Sequence, residues 1–175
     1  VRHEQKTMLA QRVCAIAGLG VALDQLVKAA ARAYLAPRPP IVLWGGVVRL
    51  VYSENVGAFM GLGTALPPAV RTLLFGVFGA LLLAVVTAYV FTTEGLRRFD
   101  VLAASLLVAG GVGNLIDRAA FAGRVTDFVT VGVGRLRTGI FNVADVLIVA
   151  GVGWFVFSLI AYGPERGDTP GDTPG

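Results

Sequence analysis

The chain has 175 residues, of which 55% are hydrophobic and only 15% are charged, with 15 Lys and Arg against 11 Asp and Glu. Soluble domains carry about 25% charged residues, so this composition excludes a soluble domain and predicts an integral membrane protein. The one histidine, His3, and the one cysteine, Cys14, exclude a Ser/His protease, an H-E-x-x-H zinc protease and a Cys/His metal site. Cys14 is predicted to be a small buried hydrophobe. The net charge of +4 suits anionic lipid headgroups, and no Lys/Arg-rich run supports nucleic-acid binding.

Four stretches are long and apolar enough to cross a bilayer, which takes about 20 residues of helix. They cover residues 13–34, 70–92, 100–118 and 141–162. Pro67 and Pro68 suit the start of the second helix. An even number of spans places both termini on one side of the membrane and the two long connections on the other. The termini and the short link carry six Lys and Arg, and the other side carries nine over a longer stretch, so this count barely orients the chain. Arg97 and Arg98 weakly favour a cytoplasmic position for the short link.

The first long connection is predicted to contain a β-hairpin. Residues 41–44 and 47–52 are β-branched and aromatic runs separated by Gly45 and Gly46. The predicted fold is therefore an all-α integral membrane protein with four transmembrane helices and a small extracytoplasmic β-rich segment between helices one and two. Residues 1–165 form this single domain, and residues 166–175, which repeat Gly-Asp-Thr-Pro, are predicted to be a disordered low-complexity tail.

The ionisable residues of the spans are predicted to meet at one membrane face. The charge-free part of the third span measures about 24 Å, which is short of a full hydrocarbon core and places Asp117 at the membrane boundary. Asp145 lies in the first turns of the antiparallel fourth span, and Asp127 lies in the connection between these two residues. Asp24 and Lys28 fall in the last third of the first span, which ends at the same face.

Spacings of three and four residues place polar side chains on common helical faces. The sets are Asp24 with Lys28, Asn114 with Asp117 and Arg118, and Asn142 with Asp145. Each set can point into a shared cleft. Because an ion pair neutralises itself, Asp24 with Lys28 and Asp117 with Arg118 are equally consistent with structural pairing.

Residues outside these pairs differ in how strongly they indicate a function. Asp145 lies in an apolar run without a basic neighbour within a turn, and intramembrane carboxylates usually mark functional or paired sites. Asp127 taken alone is consistent with a solvated loop carboxylate. Asn55 and Gly57 are by default turn residues. Asp145 is therefore the strongest functional candidate from the residues alone.

Four sequence blocks stand in the order and spacing of a known family. They are residues 23–28 (LDQLVK), 55–59 (NVGAF), 110–118 (GGVGNLIDR) with 125–128 (VTDF), and 141–145 (FNVAD). Over nearly its whole length the chain resembles the bacterial lipoprotein signal peptidases, also called signal peptidase II. It departs from the family pattern at Val27, where Ser or Thr is usual, and at Phe59 and Met60, where a small residue and then Phe are usual.

The resemblance implies a membrane aspartic endopeptidase, which removes signal peptides from diacylglyceryl-modified prolipoproteins by cleaving before the lipidated cysteine. Asp127 and Asp145 fall on the family's catalytic pair. Eight further residues fall on positions that support the pair or contact the substrate, namely Asp24, Lys28, Asn55, Gly57, Asn114, Asp117, Arg118 and Asn142. The family uses no metal and no cofactor, and the cyclic peptide globomycin inhibits it.

The resemblance also implies a location in the bacterial cytoplasmic (inner) membrane, with both termini cytoplasmic and the active site near the outer leaflet. The expected partners are prolipoproteins and membrane lipids, and not nucleic acid. Two alternatives remain open on the residues. One is a small proton- or ion-coupled transporter, in which intramembrane Asp, Asn and Lys form a relay. The other is a catalytically inactive relative that binds lipid or lipoprotein.

Overall fold

A computed structural model describes residues 2–58, 61–93 and 95–161. The elements are α1 (Arg2–Tyr34), β1 (Ile41–Leu43), β2 (Val48–Asn55), α2 (Pro68–Arg71), α3 (Gly79–Thr92), α4 (Arg98–Ala120), β3 (Val125–Val133), β4 (Leu136–Arg137) and α5 (Val143–Ala161). Phe59, Met60 and the predicted tail 166–175 lie outside the described residues.

Three helices in the described ranges are long and apolar enough to cross a membrane. They cover Thr7–Tyr34, Pro68–Thr92 and Arg98–Ala120, in agreement with the first three predicted spans. The second begins at Pro68, whose missing N–H would have no partner in a first turn, and it is π-helical over Thr72–Phe78. The fourth predicted span corresponds to α5, an apolar helix that is shorter over its described stretch, Val143–Ser158. The count of four spans therefore stays a prediction.

The prediction that Cys14 is buried is wrong. Cys14 is exposed on the surface of α1, whereas its neighbour Val13 is buried against Val90 and Val101. Adjacent residues of a helix point in different directions, so an apolar run does not say which of its members faces the other helices.

The four strands form one antiparallel sheet in the order β1-β2-β3-β4. The predicted hairpin is confirmed, because Ile41 lies opposite Leu50 and the turn between β1 and β2 is at Trp44–Gly46. The sheet extends beyond the predicted segment between helices one and two, since the second long connection supplies β3 and β4. The Val- and Thr-rich run of β3 suits a strand, and it pairs with the second edge of β2.

The two faces of the sheet have different surroundings. Side chains alternate along a strand, so Asp127 and Val129 lie on one face, called here the inner face, and Thr126 and Thr130 lie on the outer face. Arg32, near the C-terminal end of α1, donates a hydrogen bond of 2.9 Å from Nη1 to Thr126 Oγ1. The Thr126 end of the outer face therefore lies beside the C-terminal end of α1.

Small residues allow α4 to pack closely against α1 and α5. A Cβ atom on Gly110 would overlap the carbonyl oxygen of Ala144 in α5, and a Cβ atom on Gly113 would lie 2.5 Å from Asp24 Oδ2 of α1. Packing of small residues is a principal attraction between helices in lipid. These glycines bring the polar side chains of the three helices together.

Gly110→Ala should therefore lower the unfolding temperature in detergent, because the added methyl group forces α4 and α5 apart. Overpacking of this kind costs about 1 to 3 kcal/mol. Gly18→Ala is the matched control, since no atom lies within 4 Å of its Cβ position and alanine is the better helix former. Equal unfolding temperatures for the two variants would show that the α4–α5 contact is not tight at Gly110.

Candidate active site

The side chain of Asn142 joins the carboxyl group of Asp127 to the backbone of Asp145. Asn142 Nδ2 donates to Asp127 Oδ1 at 2.7 Å, and Asn142 Oδ1 accepts from the backbone N–H of Asp145 at 2.9 Å. Both aspartates are buried, with 1% and 5% of their surfaces exposed. One amide thus connects the strand that carries Asp127 to the helix that carries Asp145.

Asp145 is held by the first turn of α5. The backbone N–H of Asn142 donates to Asp145 Oδ2 at 3.3 Å, which completes a reciprocal capping box with the bond from Asp145 N–H to Asn142. Asn114 Nδ2 of α4 donates to the other carboxylate oxygen, Oδ1, at 3.1 Å. The positive end of the helix dipole also favours a negative charge at this position.

Asp127 has a different environment on β3. Its carboxyl group accepts hydrogen bonds from Asn142 and, at 2.9 Å, from Asn55 Nδ2. Burial raises the pKa of Asp127 from 3.8 to about 6, the bond from Asn55 opposes this rise, and the nearby charge of Asp145 adds to it. Asp127 therefore gains or loses its proton near pH 6.

A buried ionic cluster lies behind the two aspartates. Lys28 Nζ is 2.8 Å from Asp24 Oδ2, 3.6 Å from Asp117 Oδ2 and 2.9 Å from Asn114 Oδ1. The side chains of Lys28, Asp24 and Asp117 have 0% exposure. Arg32 Nη1 supplies a second positive charge, 3.7 Å from Asp117 Oδ1. Two carboxylates are thus balanced by two cations.

The ionic cluster also fixes the backbone on both sides of the aspartate pair. Asp24 Oδ1 accepts from the N–H of Ala144, the residue before Asp145, at 2.8 Å. Asp117 Oδ2 accepts from the N–H of Thr126, the residue before Asp127, at 2.8 Å. Each carboxylate of the cluster thereby positions one member of the pair through the preceding residue.

The Asn55–Gly57 turn closes the site from the end of β2. Asn55 Oδ1 accepts from Gly57 N–H at 2.8 Å while its Nδ2 donates to Asp127, so Asn55 is both a turn residue and a contact of the pair. A side chain at Gly57 would collide with the carbonyl oxygen of Leu62. Arg118 Nη2 donates to Gly57 O at 2.9 Å, which ties the turn to α4.

The structure brings all ten residues singled out from the sequence into one connected site. They are Asp24, Lys28, Asn55, Gly57, Asn114, Asp117, Arg118, Asp127, Asn142 and Asp145. The Asp24–Lys28 ion pair is confirmed. The Asp117–Arg118 alternative is wrong, because Asp117 pairs with Lys28 and Arg32 while Arg118 reaches Gly57.

Three residues of the site were missed from the sequence. Gln25 Nε2 donates to Asp24 Oδ2, Gly113 O and Asp117 Oδ1 at 3.1, 3.0 and 3.3 Å. Arg32 and Thr126 complete the surroundings of Asp117. The signal for Arg32 was its position one helical turn after Lys28. Gln25 and Thr126 lie inside the blocks 23–28 and 125–128 that resemble the family, but their contacts depend on the packing of other elements and could not be predicted.

A cavity of about 400 Å³ opens beside Arg118. Its walls include Val56, Phe75 and Leu115, and the guanidinium group of Arg118 lies 5.7 Å from the centre of the Phe75 ring. The π-helical stretch Thr72–Phe78 forms one side. The cavity thus offers an apolar space with a cationic group. Across residues 2–58, 61–93 and 95–161, no cluster of three or more His, Cys, Asp and Glu is placed to hold a metal ion.

Comparison with known proteins shows which family this chain belongs to. The family model described as signal peptidase (SPase) II matches residues 16–161. The lipoprotein signal peptidase of Treponema pallidum is 36% identical over 138 residues, which cover 76% of this chain and 74% of that protein. The lipoprotein signal peptidase of Syntrophus aciditrophicus is 32% identical over 152 residues, which cover 86% and 92% of the two chains.

Solved structures share the fold. One structure of a bacterial membrane enzyme, obtained by the in meso method, superimposes with a TM-score of 0.77 at 23% identity and covers 93% of this chain and 95% of that one. A second, also described as a bacterial membrane enzyme, gives a TM-score of 0.74 at 22% identity, with 87% and 94% coverage. At this level of sequence identity the similarity shows a shared fold only.

Lys28→Met should strongly destabilise the protein, because it leaves two buried carboxylates without their central ammonium group. Breaking a buried ion pair in this way costs about 3 to 5 kcal/mol. The double variant Asp24→Asn/Lys28→Met removes one negative charge with the positive one and should recover part of the loss. Unfolding temperatures in detergent test this, and a double variant no more stable than Lys28→Met would contradict the proposed charge balance.

The raised pKa of Asp127 predicts a specific dependence of stability on pH. Because the folded state binds this proton more tightly than the unfolded state, the wild type should lose stability as the pH rises from about 4 through about 6. The rise from 3.8 to about 6 corresponds to about 3 kcal/mol. Asp127→Asn, which cannot titrate, should therefore gain stability relative to the wild type between pH 4 and pH 7.

The control for this measurement is an acid whose pKa moves the other way. Hydrogen bonds from Tyr52 and Arg124 lower the pKa of Glu54, a carboxyl group on the same sheet. Glu54→Gln should therefore lose stability relative to the wild type as the pH rises through the titration of Glu54. Parallel curves for the wild type and Asp127→Asn would contradict the raised pKa of Asp127.

Proposed function

The chain belongs to the signal peptidase II family, and we propose that it removes signal peptides from diacylglyceryl-modified prolipoproteins by cleaving before the lipidated cysteine. The proposal includes an aspartic mechanism with Asp127 and Asp145 as the catalytic pair. The observation that supports it most directly is that two buried aspartates share one partner, since the side chain of Asn142 donates to the carboxyl group of Asp127 and accepts from the backbone N–H of Asp145.

A pair of neighbouring carboxyl groups supports general acid–base catalysis. Two like charges at short range do not both ionise readily, so the pair shares one proton and titrates as a unit. The ionised carboxylate takes a proton from a water molecule as the water attacks the scissile carbonyl carbon. The protonated carboxyl group donates to the carbonyl oxygen, and the leaving amine is protonated as the tetrahedral intermediate collapses. No covalent enzyme intermediate forms.

Both aspartates accept two hydrogen bonds from neighbouring groups. Asp145 accepts from Asn114 Nδ2 and from a backbone N–H, and it lies at the positive end of α5. Asp127 accepts from Asn55 Nδ2 and Asn142 Nδ2. Each carboxylate is thus supported in its ionised form, and we assign the base and the acid to the pair as one titrating unit.

The cavity beside Arg118 is suited to the lipid-bearing part of the substrate. Its apolar walls at Val56, Phe75 and Leu115 match acyl or glyceryl carbon atoms, and a guanidinium group can donate to an ester carbonyl oxygen. Arg118 also holds Gly57, next to the turn that contacts Asp127. We assign to Arg118 and Gly57 the task of placing the scissile bond relative to the pair.

The proposal extends to the position of the protein in the membrane. Residues 1–165 are assigned to a single four-span domain of the bacterial inner membrane, with cytoplasmic termini and an active site near the outer leaflet. In support, the aspartate pair lies where α1 and α4 end and where α5 begins. That depth admits water and acyl chains together. Membrane lipids are the surrounding partners, and globomycin is the expected inhibitor.

The alternatives from other classes receive less support. A transporter relay calls for polar groups near the middle of the membrane, whereas the polar residues described here collect at one end of the helices. Family membership also does not favour a transporter. A catalytically inactive relative is opposed by the hydrogen-bonded geometry of Asp127 and Asp145, and the following experiment decides this point.

Asp127→Asn and Asp145→Asn should each abolish signal-peptide release from a diacylglyceryl-modified prolipoprotein by the purified protein in detergent. Asparagine keeps the side-chain shape and an acceptor oxygen, so loss of the acid–base pair is the main change, and activity should fall by at least about 10³-fold. Glu54→Gln is the matched control, because it removes an exposed carboxyl group from the same sheet and should leave cleavage unchanged.

Globomycin should block cleavage by the wild type. Substantial turnover by either aspartate variant, with folding verified by circular dichroism, would overturn the catalytic assignment. A folded wild type that releases no signal peptide would instead favour the inactive relative.

A further inference from the structure

The outer face of the sheet contains a groove distinct from the candidate active site. The groove has a volume of about 530 Å³ and is lined by Pro40, Val42, Arg49, Val51, Thr130 and Arg137. Arg49 lies opposite Val42 on one side and Thr130 on the other, on the face away from Asp127. The groove therefore plays no part in the chemistry proposed above.

Two guanidinium groups line this groove without a carboxylate. Arg137 donates to four backbone carbonyl oxygens, those of Gly46, Val47, Thr130 and Gly132, at 2.7 to 3.3 Å, so its charge is fixed in place but not neutralised. Arg49 is exposed, and its side chain makes no hydrogen bond or ion pair with the residues described. Two like charges in one groove are favourable when an anion binds between them.

The two long connections carry an excess of positive charge around the groove. Residues 35–58 and 119–141 contain five arginines and two acids, Glu54 and Asp127. Glu54 is paired with Arg124 at 2.7 Å, and Asp127 is buried at the candidate active site. Arg49 and Arg137 therefore have no competing acid nearby on the sheet.

The surroundings of the groove favour a position at the surface of the membrane. Pro40 follows the end of α1 at Tyr34 by six residues, and Tyr34 is 63% exposed on the outside of that helix. Val42 and Trp44, at the hairpin turn, are 56% and 78% exposed. Exposed tryptophan beside arginine is typical of the headgroup layer of a membrane. The occupant with both an anionic group and apolar chains at this depth is a phospholipid.

We propose that this groove binds the phosphate group of an anionic phospholipid from the surrounding membrane, with Arg49 as its principal contact and Arg137 as a fixed second cation. A guanidinium group binds phosphate oxygens through two parallel hydrogen bonds, and Val42 and Val51 contact the adjoining carbon atoms. The bound lipid would hold the outer face of the sheet against the membrane while the inner face remains open to substrate.

Energy transfer from tryptophan to a labelled lipid tests the proposal without measuring catalysis. The chain has two tryptophans, so Trp154→Phe leaves Trp44 as the donor beside the groove. The full chain is placed in phosphatidylcholine nanodiscs that contain dansyl-labelled phosphatidylglycerol or, in parallel, dansyl-labelled phosphatidylcholine. Energy transfer should reach half-saturation at a mole fraction of labelled phosphatidylglycerol that is about tenfold lower than the fraction of labelled phosphatidylcholine required.

Variants identify the cation responsible. Arg49→Gln should remove the preference for phosphatidylglycerol, and Arg49→Lys should retain part of it because the charge remains. Arg49 has no partner to lose among the described residues, so both variants should fold. Arg12→Gln, an exposed arginine near the other end of α1, is the matched control and should keep the preference.

Three outcomes would overturn the proposal. The first is equal transfer to both labelled lipids, and the second is an unchanged preference in Arg49→Gln. The third is displacement of the labelled lipid by inorganic phosphate or by an acidic peptide at concentrations where unlabelled phosphatidylglycerol fails, which would indicate a site for soluble anions or for a protein segment.

Discussion

The burial of Lys28 between Asp24 and Asp117 is the interaction on which the rest of the site depends. A charged group inside a bilayer is tolerated when it is paired and its hydrogen-bonding capacity is used, and both conditions hold here at 0% exposure. The Asp24 carboxylate also accepts a hydrogen bond from the backbone N–H of Ala144, and the Asp117 carboxylate accepts one from the backbone N–H of Thr126. The same cluster therefore joins α1 to α4 and determines where α5 and β3 begin.

The capping box of α5 explains how Asp145 serves structure and chemistry at once. A helix that begins inside the protein has backbone N–H groups without partners, and Asn142 and Asp145 satisfy two of them. Asn142 then has one amide group left, which reaches Asp127. The separation of the two aspartates is consequently set by the geometry of a helix start, which is more rigid than a loop.

The spacing of the polar residues in the spans predicted which of them would meet. Helix length determines how deep a residue lies in the membrane, and the helical period determines which way its side chain points. This spacing placed Asp117 and Asp145 at the same end correctly, and the family resemblance added Asn55 and Asp127. The strands of the second connection, and with them Thr126, were not predicted, because a short strand becomes stable only when another strand offers it an edge. Contacts of Gln25 with α4 likewise depend on the close approach that Gly113 permits.

The register of β3 keeps the two proposed surfaces of the sheet apart. Because side chains alternate along a strand, a slip of one residue would exchange Asp127 with a threonine and move the carboxyl group to the outer face. Two contacts oppose that slip, the bond from Thr126 N–H to Asp117 and the bond from Asn55 Nδ2 to Asp127. The first comes from α4 and the second from β2, so the register depends on a helix and a strand at once. A sheet held in this way can contact lipid on one face without disturbing the carboxyl pair on the other.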